Sequence, residues 1–144
     1  MNKIKLGILG GGGDSLIGIL HRVASNMYDR YQIVGGVFNP NYEENLKFAD
    51  KIGVHTDRVY IDFDTFIEEE IKKSSEERIE VVSVLTPNFL HFPMAKKLLE
   101  NGFHVICEKP LTTSYKEAIE LETLQKKHNA IFAVTYTYTG YPMV

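Results

Sequence analysis

The chain has 144 residues, of which 44% are hydrophobic and 24% charged, and a formal net charge of −3. That length suits one domain, burying roughly two-thirds of the surface the unfolded chain exposes. No block of basic residues argues for nucleic acid, and no apolar run reaches the ~20 residues of a membrane span. Cys107 is the single cysteine. It excludes an intrachain disulfide framework and a cysteine zinc site, and fits a reducing, cytoplasmic setting.

The opening MNKIKLGILGGGGD is charged, glycines cut its apolar run short, and no small-residue cleavage site follows, so it reads as a first strand, Lys3 to Leu9. Leu16, Ile17, Leu20, Val23, Ala24 and Met27 then recur at helical spacing and predict one apolar, core-facing stripe. Tyr31 to Phe38 reads as a second strand. Leu46, Ala49 and Ile52 mark a second helix, Arg58 to Ile61 a short third strand, and Asp62 or Asp64 caps a helix with Phe66, Ile67 and Ile71. Glu80 to Thr86 has the continuous apolar character of a strand buried on both faces. Asn88 follows as a predicted N-cap for a helix lined by His91, Met94, Ala95, Leu98 and Leu99.

Gly102 supplies a left-handed cap before the strand Phe103 to Cys107. Ser114 and Glu117 have capping-box spacing ahead of a helix with Ala118, Leu121 and Leu124 on one side. Ile131 to Tyr136 completes six strands. Helical crossovers between them predict a Rossmann-type α/β fold, a doubly wound parallel sheet in the order 3-2-1-4-5-6.

Chemistry concentrates at the strand ends. Six of the eleven glycines lie from Gly7 to Gly18, where a dinucleotide pyrophosphate needs close backbone approach and a helix N-terminus. Gly10 and Gly12 suit that role, with Ser15, Leu16 and Ile17 opening the helix. The spacing is irregular: Ser15 stands where the usual fingerprint has a third glycine, which arrives at Gly18. Asp14 would repel a pyrophosphate, so it points away or caps the helix. Asn39, after the second strand, serves either a ribose hydroxyl or the cap of the next helix, which leaves NAD and NADP both open.

Thr86, Asn88 and His91 stand at the carboxyl end of the fourth strand, where they line the nicotinamide side or simply form a proline turn, a cap and a helix-surface histidine. Glu108, Lys109 and Pro110 follow the fifth strand directly. Beside an oxidised nicotinamide, Lys109 would be a proton acceptor as the neutral amine, or a hydroxyl polariser as the ammonium. A solvated lysine paired with Glu108 fits the spacing equally well.

Together, GILGGGGDSLIGILHR, VLTPNFLHFPMAKKLLENGFHVICEKPLT and FAVTYTYTGYPMV resemble the glucose-fructose oxidoreductase/inositol dehydrogenase/rhizopine-catabolism (Gfo/Idh/MocA) family over almost the whole chain. The most specific part is Glu108-Lys109-Pro110 after a strand, preceded by Thr86-Pro87-Asn88 and His91. The resemblance implies that Lys109 lies close to the nicotinamide and the substrate hydroxyl, and that the peptide bond into Pro110 is cis. It further implies hydride transfer between nicotinamide C4 and a hydroxyl of a sugar, sugar acid or inositol. The sequence departs from the family in its offset glycines and at Thr137, where similar relatives have asparagine.

Family members also carry a second domain that supplies most substrate contacts, so residues 1–144 are expected to be the NAD(P)-binding domain alone, binding cofactor without turnover. A non-catalytic NAD(P)-sensing or interaction module is the alternative. The aromatic, β-prone ending TYTYTGYPMV predicts a homo-oligomer through the surface that a second domain would cover. Neither nucleic acid nor a membrane is expected as a partner.

Overall fold

The structure, a computed structural model, describes residues 3–143. Met1, Asn2 and Val144, from the charged start and the aromatic ending, lie outside the described residues. Five parallel strands make one sheet: β1 (Ile4–Gly10), β2 (Tyr31–Val37), β3 (Val81–Leu85), β4 (His104–Glu108) and β5 (Phe132–Thr135), in the order β2-β1-β3-β4-β5. The connections carry α1 (Leu16–Asn26), α2 (Tyr42–Lys51), α3 (Phe63–Glu70), α4 (His91–Glu100) and α5 (Tyr115–Lys127). This is the doubly wound Rossmann arrangement.

One expected strand is corrected. Arg58 to Ile61 does not form a ladder: a 3-10 turn occupies Thr56–Arg58, and Asp62 already caps α3. Only three residues remain between them, enough for an isolated parallel bridge from Val59 to Gly36. That bridge sits beside β2, so the predicted order persists with its outermost member reduced to one contact.

Four helices begin where a short polar side chain takes up a first-turn amide. Ser15, Asn41, Asp62 and Ser114 accept from the N–H groups of Gly18, Glu44, Thr65 and Glu117. Glu117 returns the bond to Ser114, completing the capping box. The cap of α2 is thus Asn41 and not Asn39, and α3 uses Asp62 and not Asp64. Asn88 is no cap either. It opens a 3-10 turn, Asn88–Leu90, and α4 starts at His91 without a side-chain cap.

The main core packs α3, α4 and α5 against one sheet face, around Phe66, Val84, Leu98, Phe103 and Val105. A smaller core lies under α2 on the opposite face, with Ile8, Phe38, Phe48 and Ala49. Between α3 and the sheet sits Glu70, fully buried. Its carboxylate accepts from the Tyr60 hydroxyl, from Arg58 Nη2 at 2.8 Å and from the Ile79 N–H at 2.8 Å. A buried carboxylate is tolerable only with such a full set of donors.

The predicted core stripe of α1 is the second correction. Leu16, Leu20, Val23 and Met27 remain half or more exposed. On their sheet face only α1 and α2 pack, and they lie over the β1–β2 half. The β3–β4–β5 half stays open, leaving a groove of about 650 Å³ that Ile17, Leu20, Val23, Ile106 and Thr135 help to line. After β5 the chain makes a 3-10 turn, Thr137–Gly140, at the groove's rim, with Tyr136, Tyr138 and Tyr141 exposed.

Candidate functional site

Because every strand runs the same way, all carboxyl ends meet at one edge, which is where open α/β sheets bind ligands. That edge brings together the glycine loop after β1, Phe38-Asn39 after β2, Thr86 to Asn88 after β3, Glu108 to Pro110 at the end of β4, and Thr135 of β5.

Two loop glycines are required by contact. A Cβ on Gly10 would stand 2.8 Å from the Leu85 carbonyl oxygen, and one on Gly12 2.5 Å from that of Phe38. Gly12 also donates its N–H to Phe38 O at 3.0 Å, holding the loop down on the end of β2. Gly10 further adopts φ +82°, a left-handed conformation that side chains disfavour. Ser15 caps α1 by accepting from Gly18 N at 3.2 Å. Among the described residues, the next two amides, of Leu16 and Ile17, find no acceptor in the protein. They lie at the positive end of α1, beside the glycines at positions 10–13 of the loop. A pyrophosphate is the group this cradle fits.

Asn39 and Asp14 have settled positions. The Asn39 side chain accepts from the Asn41 N–H at 2.8 Å, an Asx turn that shapes the bend into α2. It lines a cavity of about 320 Å³ with Gly13, Phe48, Lys47 and Lys51. Lys47 is paired with Glu44 at 2.8 Å. Asp14 is exposed and the cap role goes to Ser15.

At the carboxyl end of β3, Thr86 is half-buried, its hydroxyl 3.6 Å from Met94 Sδ, and Asn88 is exposed. His91 is not on the helix surface. It is completely buried, with Nδ1 2.8 Å from the Pro110 carbonyl oxygen and Nε2 2.9 Å from that of Thr86. Both ring nitrogens are thereby spent on backbone, stitching the β3 end to the Lys109–Pro110 segment. The Lys109–Pro110 peptide bond is cis. The Lys109 side chain is exposed and, among the described residues, has no hydrogen bond or ion pair.

Glu108 is buried, and its carboxylate turns away from Lys109 Nζ toward α1. His21 Nε2 and the Thr135 hydroxyl approach Oε1 at 3.1 and 2.5 Å, and the Lys109 N–H donates to Oε2 at 3.1 Å. Burial acts to raise this carboxyl's pKa, but the hydrogen bonds from Thr135, His21 and the Lys109 amide outweigh it and hold the group below its ordinary value. The ion pair suggested by adjacency, Glu108 with Lys109, is therefore replaced by a hydrogen bond between Glu108 and His21.

Sequence reasoning passed over His21, Arg22, Thr135 and the contact role of Gly18. Arg22 Nη1 donates to the Gly11 carbonyl at 2.8 Å while its guanidinium lies 4.8 Å from the Phe48 ring centroid. The available signal was two adjacent basic side chains inside the apolar α1 sequence. Among the described residues no group of three or more His, Cys, Asp or Glu side chains is placed to hold a metal ion, and no helix is long and apolar enough to cross a membrane.

Residues 4–136 match the family model described as the oxidoreductase family, NAD-binding Rossmann fold, of the Gfo/Idh/MocA group. An uncharacterized oxidoreductase of Bacillus subtilis, YfiI, is 37% identical over 142 residues, which is 98% of this chain and 36% of that protein. An oxidoreductase from Pseudomonas syringae superposes with a TM-score of 0.94 at 36% identity, covering 99% of this chain and 38% of that one. An inositol dehydrogenase homolog from Azotobacter vinelandii, complexed with NADH and myo-inositol, gives a TM-score of 0.94 at 35% identity, covering 99% and 37%. The chain thus spans well under half the length of these relatives. With a glycine cradle at the α1 terminus and Glu108-Lys109-Pro110 beside it on the same sheet edge, the chain belongs to the Gfo/Idh/MocA oxidoreductase family, as its NAD-binding Rossmann domain.

Proposed function

We propose that this chain is the cofactor domain of an enzyme that moves a hydride between a nicotinamide dinucleotide, NAD or NADP, and a hydroxyl of a sugar, sugar acid or inositol. The observation that carries the reading is the shared edge: the Leu16 and Ile17 amides, which follow β1, and the Lys109 ammonium, which follows β4, stand at one carboxyl edge with only β3 between those strands, and among the described residues none of them has a partner. Gly10 and Gly12 let the backbone approach the pyrophosphate, with Ser15, Leu16 and Ile17 presenting the positive end of α1. Asn39 faces the adenosine ribose; its amide accommodates a hydroxyl without repelling a phosphate, which keeps NADP admissible. Thr86, Asn88 and Glu108 border the nicotinamide end, and His91 holds that border in shape through two backbone carbonyls.

When bound, the nicotinamide supplies the hydride acceptor or donor. Lys109 takes the proton from the substrate hydroxyl as the neutral amine and returns it as the ammonium, its Nζ having no other partner among the described residues. A structure similar to this chain holds myo-inositol as well as NADH, which supports a polyol as the substrate class.

The chain alone binds cofactor without turnover in this reading, since a second domain supplies the remaining substrate contacts in the family. The open α1 face and the exposed tyrosines of the ending favour self-association, and the single buried Cys107 suits the cytoplasm. Fluorescence titration with NADH and NADPH tests the reading. A saturable response below millimolar concentration with at least one of them is expected, and none with either overturns it. Polyol-dependent NAD(P) reduction by this chain would contradict the absence of turnover.

A further inference from the structure

The pairing of His21 with Glu108 joins α1 and the end of β4, which no other side-chain hydrogen bond among the described residues connects directly. Glu108 is the last residue of β4 and precedes Lys109. Its carboxylate is 8% exposed as part of the residue and gathers three donors: His21 from α1, Thr135 from β5, and the backbone N–H of Lys109 itself. An ionised carboxylate only accepts, so Nε2 of His21 carries the hydrogen between them. The neighbouring Arg22 donates from the same turn of α1 to the carbonyl of Gly11 in the glycine loop. One helical turn therefore grips the phosphate loop with one side chain and the residue before Lys109 with the next.

The far side of the lysine is gripped as well, since His91 contacts the carbonyl of Pro110. Backbone on both sides of Lys109 is thus tied to separate helices, α1 through Glu108 and α4 through Pro110, while Nζ itself is untethered. A charge-assisted hydrogen bond with side chains only 13% and 11% exposed is well placed to fix geometry, because water competes with it poorly. We infer that His21 is a positioning residue, which acts through Glu108 to set Lys109 relative to the cofactor's nicotinamide end and to couple that setting to the glycine loop. The inference rests on the reading above, in which Lys109 lies at the nicotinamide.

Comparing NADH with ADP-ribose, which keeps the pyrophosphate and both riboses but lacks the nicotinamide, separates positioning from simple stapling of α1. His21→Ala should weaken NADH by about fivefold or more while changing ADP-ribose by less than about twofold, and His21→Gln, which retains a donor, should restore most of the loss. In a urea-denaturation cycle of His21→Ala, Glu108→Gln and the double variant, the pair should be coupled by about tenfold in the folding equilibrium. Equal losses for both ligands, no loss for either, or additive denaturation effects overturn the inference. If His21→Ala does not fold, His21→Gln against His21→Leu carries the same ligand comparison. Wild-type chain that binds neither ligand defeats the cofactor reading itself, and the inference falls with it; wild-type binding with an unchanged ligand ratio defeats the inference alone.

Discussion

A Cβ on Gly18 would stand 1.8 Å from the carbonyl oxygen of Gly11. No side chain fits there, so α1 packs directly against the glycine loop. The third glycine of the dinucleotide fingerprint serves close approach of this kind, and here Gly18 performs it three residues later than the usual spacing, with Ser15 released to cap the helix. Gly18→Ala must push α1 away from the loop. It should destabilise the domain by about 1–3 kcal/mol and abolish measurable NADH binding at concentrations that saturate the wild type. Urea denaturation and fluorescence titration of the same variant check the two effects.

The buried Glu70 gives a stability prediction far from the cofactor edge. Its carboxylate joins α3 to Arg58, Tyr60 and the Ile79 amide. Glu70→Ala leaves the Tyr60 phenol and the Ile79 amide without their acceptor and Arg58 with only the Glu77 carbonyl, and should cost about 3–5 kcal/mol. Tyr60→Phe removes one donor and leaves the others in place, so its cost should be about 1 kcal/mol. Equal losses in the two variants would contradict a network centred on Glu70.

Acid should destabilise the fold through specific carboxylates. Glu108 and Glu80 both have depressed pKa values. In Glu108, upward pressure from burial is outweighed by hydrogen bonds, and in Glu80 the Lys5 ammonium and amide lead. A carboxyl depressed by folding contributes stability that is present above its unfolded value, near 4.5, and that is lost as pH falls through the lower folded value. Urea midpoints should therefore decline as pH drops below about 4.5. Glu108→Gln should be less stable than wild type at pH 7 yet lose less on acidification. Parallel pH curves for the two proteins would exclude Glu108 as a contributor.

Much of this architecture is legible in the sequence because it rests on local rules. The Ser114–Glu117 box, the left-handed Gly102 and the apolar β3 run each signal their own element, and alternation of strands and helices implies the parallel sheet. The short third strand misleads because Val59 has β propensity while the flanking turn and the Asp62 cap leave no room for a ladder. The apolar stripe of α1 reads as a core face because periodicity reports which side is apolar, without saying whether anything lies opposite. His91 shows the same limit at the site: sequence places it beside Thr86 and Lys109, but only the fold reveals that both its nitrogens meet carbonyls. His21 was invisible for a related reason, since its partner is 87 residues away.

In the proposed complex one ligand spans the glycine loop and the Lys109 segment. An amide-resolved NMR titration of the isotopically labelled chain with NADH tests it most directly. The amides of Gly12, Leu16 and Ile17 should shift together with that of Lys109, all with one midpoint. Shifts confined to one of these two groups, midpoints that differ between them, or no shifts at millimolar NADH would contradict it.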